Sequence, residues 1–211
     1  KIAPADVVNT PLIRYIAETG KPIVLSTGGA SIEDVDRAWG TISAVNSQIA
    51  VLQCTASYPA EPEDMDLRVI ETYRERYPDA VVGLSAHQNG IAMSTVAYVL
   101  GARVVEKHFT LNRAWKGTDQ AFSLEPGGLT RLVRDLHRAR VALGNGSKQI
   151  HDSERSALYK MTKSLVAHTN LPAGHTLDYG DIAIKSPGGG MEPYLLDEII
   201  GRTLVRSMKQ D

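Results

Sequence analysis

Short apolar runs alternate with amphipathic segments along the first two thirds of the chain. Runs rich in Val, Ile and Leu predict four strands, at residues 22–27, 48–55, 80–85 and 102–108. Apolar residues spaced three or four positions apart predict five helices, at residues 10–19, 31–39, 66–77, 91–100 and 129–143. Ser31, followed by Asp34 three positions later, resembles the capping box that begins many helices. Strand and helix therefore alternate through this region.

Strands that alternate with helices at spacings of roughly thirty residues predict parallel β/α units, because a parallel crossover needs a connecting helix. An open doubly wound sheet and a (β/α)8 TIM barrel both fit this alternation. Polar residues at the strand ends favour the barrel, since all its strands end on one face, where catalytic groups are found. They are Ser26, Thr27, Gln53, Thr55, Ser85, His87, Glu106 and His108. Four units are half of the usual eight, so we expect an α/β chain with half of a barrel.

The pattern changes after Gly144. A polar stretch at residues 145–155 leads through a short helix to brief apolar runs interrupted by Pro and Gly. Such runs predict a small β-rich module with tight turns. We place the boundary near residue 150, which gives domains at residues 1–150 and 151–211.

The composition bears on the partners and the cellular location expected for the protein. The 211 residues are 43% hydrophobic and 22% charged with a net charge of −1, and Lys and Arg are scattered, so neither nucleic acid nor a membrane is an expected partner. The apolar run at residues 91–100 is too short to span a bilayer, and no secretory leader opens the chain. Cys54 is the single cysteine, which excludes an internal disulfide. We expect a cytoplasmic protein, and the start at Lys1 suggests a fragment.

His87 and His108 are the strongest chemical signal. Each comes at the end of one of two successive predicted strands, so both imidazoles would point into the same barrel mouth. Two imidazoles so placed can hold a divalent cation and leave positions open for substrate oxygens and water. Structural, hydrogen-bonded histidines are the alternative interpretation.

Hydroxyl groups at the same rim suit an anionic substrate. Ser26, Thr27, Thr55 and Ser85 can donate to phosphate or carboxylate oxygens. Lys1 would add a fixed positive charge if it ends the preceding strand. The rim therefore predicts an anion-binding site in a protein of nearly neutral charge.

Four further residues lie near the predicted strand ends or in the long loop after the last strand. Strand alternation turns Glu106 to the same side as His108 and Lys107 to the opposite side. Buried packing is the favoured interpretation of Cys54, which has no evident basic partner. Asp119, in the loop, fits either a substrate-binding carboxylate or a surface turn.

Five strings in order resemble the sialic acid (N-acetylneuraminate) synthases and their relatives in surface and spore coat polysaccharide synthesis. They are KPIVLSTGGAS, LQCTASYPAEPEDMDLRVI, GLSAHQNGIA, EKHFTLNRAWKGTDQAFSLEP and LPAGHTLDYGDI. The resemblance implies the C-terminal half of a TIM barrel followed by an antifreeze-like (SAF) domain. It also implies a domain-swapped homodimer in which the small domain covers the partner's site.

The same resemblance implies a reaction between phosphoenolpyruvate and N-acetylmannosamine, its 6-phosphate or a related sugar. His87 and His108 match the metal ligands, usually for Mn²⁺ or Mg²⁺, and Asp6 falls where the family has an acidic residue proposed to manage protons. Substrate contacts are matched by Lys1, Ser26 and Ser85 for phosphoenolpyruvate, and by Tyr58 and Asp119 for the sugar.

Four positions depart from the family pattern. Pro4 replaces a phosphate-binding Ser, Ala56 an Asn, Ala86 an Asp beside the metal histidine, and Ser186 an Arg that reaches the partner's sugar. These changes leave the identity of the sugar open. Two alternatives therefore stand beside the synthase: a metal-dependent pyruvate aldolase, and a non-catalytic sugar-binding or dimerisation module.

Overall fold

Four parallel strands form the centre of the first part of the chain. The computed structural model describes residues 1–211 and divides them into two units, Lys1–Asn145 and Gly146–Asp211. The first unit contains β1 (Ile23–Ser26), β2 (Ile49–Cys54), β3 (Val81–Ala86) and β4 (Val104–Lys107), hydrogen-bonded in that order. Its helices are α1 (Thr10–Glu18), α2 (Ile32–Ser43), α3 (Val69–Arg76), α4 (Ala92–Leu100) and α5 (Pro126–Ala142). This is the architecture of half of a (β/α)8 barrel, as predicted.

Helix boundaries follow local backbone chemistry. The predicted capping box at Ser31 and Asp34 is present at the start of α2. This helix continues past the predicted end to Ser43, because an exposed Gly40 costs helix stability without ending the helix. Helix α3 begins three residues later than predicted, because Asp66 has φ +43 and cannot be helical. Helix α5 begins three residues earlier, with Pro126 at its first position.

The two faces of the sheet differ in chemistry. Ile23, Leu25, Val51 and Leu84 belong to the hydrophobic core formed with the helices. Alternate residues along the strands point to the opposite, inner face. On that face the polar residues gather at the carboxyl ends of the strands, which positions the candidate site.

Gly83 of β3 allows residues of the neighbouring strands β2 and β4 to pack closely together on the inner face of the sheet. A Cβ atom at this position would lie 2.4 Å from Leu52 Cδ2 and 2.4 Å from the Val104 carbonyl oxygen. Both distances are far below van der Waals contact, so no larger residue fits without moving the neighbouring strands.

The second unit, Gly146–Asp211, is a small module with its own core. It contains α6 (Arg155–Met161), β5 (Ser164–Ala167), β6 (Ile182–Lys185) and α7 (Leu196–Ile199), and β5 pairs with β6 in antiparallel fashion. Its buried core consists of Ala167, Leu171 and Leu177. The division between the units, after Asn145, lies close to the boundary predicted near residue 150. No helix in either unit combines the length and apolar character needed to cross a membrane.

Candidate active site

The imidazole rings of His87 and His108 lie side by side at the carboxyl ends of β3 and β4. Their centroids are 5.2 Å apart and the ring planes are inclined by 62°. Each histidine directly follows its strand, and the strands are adjacent in the sheet. The structure therefore brings together the two residues predicted to share one site.

A backbone carbonyl fixes the orientation of His87. Nδ1 of His87 lies 2.8 Å from the carbonyl oxygen of Thr55. Since a carbonyl oxygen only accepts, Nδ1 carries the proton of the neutral ring, and the lone pair of Nε2 is left for another partner. This is the arrangement in which a histidine commonly binds a metal ion.

Cys54 lies against the same ring nitrogen, with Sγ 3.7 Å from Nδ1 of His87. Burial raises the pKa of the thiol, but the contact with His87 opposes burial, and the pKa of Cys54 is lowered overall. Burial of His87 opposes its protonation, but its contacts with Cys54 and the Thr55 carbonyl raise its pKa overall. The sequence interpretation, which gave Cys54 no evident basic partner, is therefore corrected.

His108 is held by the long loop that follows β4. Its carbonyl oxygen accepts a hydrogen bond of 2.8 Å from the Leu124 N–H, and its Nδ1 lies 3.5 Å from Oδ2 of Asp119. Burial and the neighbouring His87 lower the pKa of His108 despite the attraction of Asp119. Asp119 is thus part of the histidine group.

The ring of Tyr58 packs against both histidines, tilted by 44° to His87 and nearly edge-on at 81° to His108. Its ring centroid is 4.2 Å from that of His87 and 5.8 Å from that of His108. The ring centroid of Phe122 lies 5.8 Å from that of Tyr58 and 5.1 Å from that of His108. Tyr58 remains 51% exposed, so its face is available to a ligand that enters the mouth. Partial burial raises the pKa of its phenol.

A polar row crosses the inner face one step below the histidines. Cys54 pairs in register with Ser85, and Ser85 pairs with Glu106. The Ser85 hydroxyl donates to Oε1 of Glu106 at 2.7 Å, and Lys1 Nζ donates to the same oxygen at 2.7 Å. Ser26, at the end of β1, is completely buried and its hydroxyl has no hydrogen-bond partner.

Glu106 is ionised in this row. Burial raises its pKa, but the hydrogen bonds from Lys1 and Ser85 outweigh burial and lower the pKa overall. Lys107 lies on the opposite face, as predicted, where its ammonium group donates to the Gln88 carbonyl oxygen at 2.6 Å. Burial lowers the pKa of Lys107 to about 8.

Asp6 stands outside this group. Its carboxylate accepts a hydrogen bond of 3.4 Å from the Asn9 side chain and makes no contact with the histidines. Its proposed role in proton transfer stays a prediction.

The four positions that depart from the family pattern occupy different environments. Pro4 begins a 3-10 turn, and Ala86 is buried in the hydrophobic core. The Ala56 side chain lies close to Gly28. In the second unit, Ser186 accepts a hydrogen bond of 2.7 Å from Lys163.

Three contributors to the site were missed from the sequence. They are the Thr55 carbonyl, which fixes the tautomer of His87, the Cys54 contact with His87, and the Phe122 ring. Alternation along β2 places Cys54 on the face opposite to the core residue Val51, which is the inner face, but the contact of its thiol with His87 depends on the register between β2 and β3. No sequence signal distinguishes Phe122 from an ordinary loop residue.

The side chains at this site supply some, but not all, of the ligands that a divalent cation needs. The free Nε2 of His87 and the adjacent His108 ring would provide two imidazole ligands. No group of three or more His, Cys, Asp or Glu side chains is gathered so as to hold a metal ion. The remaining coordination positions would therefore be filled by water or by substrate oxygens, as in catalytic rather than structural metal sites.

Family models match both units. Residues 1–148 match the model of the NeuB family, and residues 162–211 match the model of the SAF domain. Together they account for most of the chain.

Named relatives share sequence along the entire chain. N-acetylneuraminate-9-phosphate synthase of Mus musculus is 37% identical over 100% of this chain and 59% of its own length. N,N'-diacetyllegionaminic acid synthase of Campylobacter jejuni is 32% identical over 100% of this chain and 64% of its own length. The crystal structure of spore coat polysaccharide biosynthesis protein SpsE from Bacillus subtilis matches with a TM-score of 0.64 and 30% identity, over 99% of this chain and 64% of that chain. The chain thus spans about three fifths of the length of these relatives.

Proposed function

The chain belongs to the NeuB family, and from this we propose that its protein condenses phosphoenolpyruvate with an N-acetylated amino sugar to give a nonulosonic acid and phosphate. The similarity to named synthases of N-acetylneuraminate 9-phosphate and diacetyllegionaminic acid supports this class of product. The observation that carries the proposal is the pair of imidazoles, 5.2 Å apart, at the ends of adjacent parallel strands.

The proposed reaction forms a carbon–carbon bond. C3 of phosphoenolpyruvate attacks the aldehyde carbon of the open-chain sugar, water adds at C2, and phosphate leaves by cleavage of its C–O bond. Lys1, Ser26 and Ser85 would hold phosphoenolpyruvate. The buried, unpartnered hydroxyl of Ser26 supports this assignment, because such a group gains a hydrogen bond only when a ligand or water arrives.

His87 and His108 would hold Mn²⁺ or Mg²⁺. A cation there would supply Lewis-acid polarisation of the sugar aldehyde. Tyr58 and Asp119 would orient the sugar, since Tyr58 packs against His87 and Asp119 lies beside His108. This placement would align the two reactants, which lowers the entropic part of the barrier.

Proton transfer requires a carboxylate near the reacting carbons. Glu106 fits this task because it is ionised and lies in the row that contains Ser85 and Lys1. It would accept a proton from the attacking water. Asp6, the residue implied by the family pattern, is a second candidate.

The test is phosphate release by the full-length protein. We expect release only when phosphoenolpyruvate, an amino sugar and Mn²⁺ are present together, and a product whose mass equals both reactants plus water minus phosphoric acid. The sugar panel contains N-acetylmannosamine, its 6-phosphate and related acetamido sugars. His87→Ala should abolish release, whereas His137→Ala, which changes an exposed histidine of α5, should leave it unchanged.

Absence of release with every sugar would contradict the proposal. A product formed from pyruvate instead of phosphoenolpyruvate would identify an aldolase. Mn²⁺ binding by calorimetry that is unaffected by His87→Ala would contradict the metal assignment.

We also propose that the protein is a domain-swapped homodimer that acts in the cytoplasm. The dimer is supported by the family resemblance of both units, including the SAF domain at residues 162–211. The location is supported by the single free thiol, Cys54, which suits a reducing compartment.

A further inference from the structure

The distance between the two imidazoles must be held by contacts outside the sheet, because the pairing of β3 with β4 ends one residue before each histidine. The ladder between β3 and β4 has Ala86 and Lys107 as its last pair. His87 and His108 come one residue later on each strand. The two histidines themselves are therefore not joined by a ladder hydrogen bond.

The backbone of each histidine is bonded to a different loop. The His87 carbonyl accepts from Ala60 N–H at 3.4 Å, and the His108 carbonyl accepts from Leu124 N–H at 2.8 Å. Neither bond joins one histidine strand to the other. Independent movement of the two loops would change the distance between the rings.

Lys107 connects the end of β4 to the residue that follows His87. It immediately precedes His108, and its Nζ donates at 2.6 Å to the carbonyl oxygen of Gln88, which immediately follows His87. Its ladder partner Ala86 belongs to the hydrophobic core, so Lys107 rises from the face covered by helices. Its ammonium group makes no ion pair, and this hydrogen bond is the one that it donates.

The hydrogen bond from Lys107 to the Gln88 carbonyl has a charged donor and is partly buried. A hydrogen bond from a charged donor is shorter and stronger than one between neutral groups. Partial burial strengthens it further, because water competes less for the donor. A single side chain thus joins the two strand ends on the face opposite to the reacting groups.

We propose that Lys107 is a positioning residue that sets the distance between His87 and His108. It acts through the backbone of Gln88 and touches neither substrate nor reacting atoms. The proposal rests on the proposed function only in treating the two histidines as ligands, since the spacing itself can be measured without metal.

The decisive experiment compares metal-free crystal structures of the full-length protein and three variants. Lys107→Met removes the donor and keeps most of the apolar stem, whereas Lys107→Arg keeps a charged donor. Arg74→Met is the matched control, because Arg74 also donates to a carbonyl of a neighbouring element, Leu100, at 3.3 Å. The wild-type ring separation is 5.2 Å.

We expect the separation to change by about 1 Å in Lys107→Met, a displacement that can lower kcat about 100-fold. It should stay unchanged in Lys107→Arg and Arg74→Met. By calorimetry, Lys107→Met should bind Mn²⁺ about tenfold more weakly, in line with losses of supporting groups around metal ligands. If Lys107→Met does not fold, Lys107→Gln, with a shorter uncharged donor, takes its place.

Rings that keep their wild-type separation in Lys107→Met would overturn the proposal, as would equal displacement in Lys107→Arg or Arg74→Met. Rings that move in Lys107→Met alone, in a wild-type protein that binds no Mn²⁺, would support the positioning role while contradicting the proposed function. The two proposals can therefore fail separately.

Discussion

Tyr58 combines an apolar and a polar role in one side chain. Its ring lies 4.2 Å from that of His87, while the side chain remains half-exposed. No protein group forms a hydrogen bond with its phenol oxygen, so the hydroxyl can serve a ligand. The ring and the hydroxyl can be separated experimentally.

We predict that Tyr58→Phe raises KM for the sugar about tenfold and leaves KM for phosphoenolpyruvate unchanged. The packing of the ring against His87 remains, and one hydrogen bond to the sugar is lost, which corresponds to roughly 1.4 kcal/mol. Steady-state kinetics with each substrate varied in turn measure the effect. An equal rise in both KM values would contradict a role specific to the sugar.

At this scale, the positions of His87 and His108 at the ends of successive strands were sufficient to predict that they share a mouth. Alternation along one strand predicted that Glu106 and Lys107 face opposite sides. Contacts that depend on register between strands, such as Cys54 with His87, were not accessible. Alternation along a strand determines which face of the sheet a side chain lies on. The register with the neighbouring strand determines which side chains it contacts.

At the scale of elements, the packing of β3 between its neighbouring strands depends on Gly83, which has no side chain. The inner surfaces of Leu52 and Val104 approach Gly83 from both sides. Gly40, in the exposed part of α2, has no atom within 4 Å of the place that a Cβ would occupy. The same substitution should therefore have opposite effects at the two positions.

Gly83→Ala should destabilise the protein by about 3 kcal/mol, because the added methyl overlaps a backbone oxygen that cannot move alone. Gly40→Ala should stabilise it by about 1 kcal/mol through improved helix propensity. Urea unfolding of both variants, with unchanged m-values, measures the difference. Equal stability of the two variants would contradict the close approach of the strands.

The elements themselves followed from hydrophobic periodicity, and the helix ends were less accessible. The early start of α5 required recognising Pro126 as a first helical residue, although Gly127 and Gly128 follow it. The late start of α3 depended on the positive φ of Asp66, an uncommon conformation for a residue other than Gly. Local backbone conformations of this kind leave little trace in an apolar pattern.

For the whole molecule, the testable quantity is the number of chains in the assembly. We predict that light scattering of the full-length protein gives twice the mass of one chain at micromolar concentration. The reason is that the SAF unit is expected to cover the site of a second copy. A monomeric mass, together with full activity, would contradict the domain-swapped arrangement.

The division into a larger and a smaller unit was visible in the sequence as a change from long periodic segments to short runs with Pro and Gly. The internal geometry of the smaller unit was not. Its core rests on three buried residues, and its two strands pair through a register that no local pattern specifies. Long-range pairing is the part of this fold that sequence periodicity cannot supply.

The ion pair between Lys1 and Glu106 gives the mouth a charge balance before any substrate arrives. A phosphate or carboxylate that approaches Lys1 must compete with a resident carboxylate, so its capture is an exchange of partners rather than a simple attraction. A singly charged metabolite gains little from that exchange, whereas a multiply charged one can satisfy Lys1 and neighbouring hydroxyls together. We therefore expect this salt bridge to favour multiply charged anions over singly charged ones at Lys1.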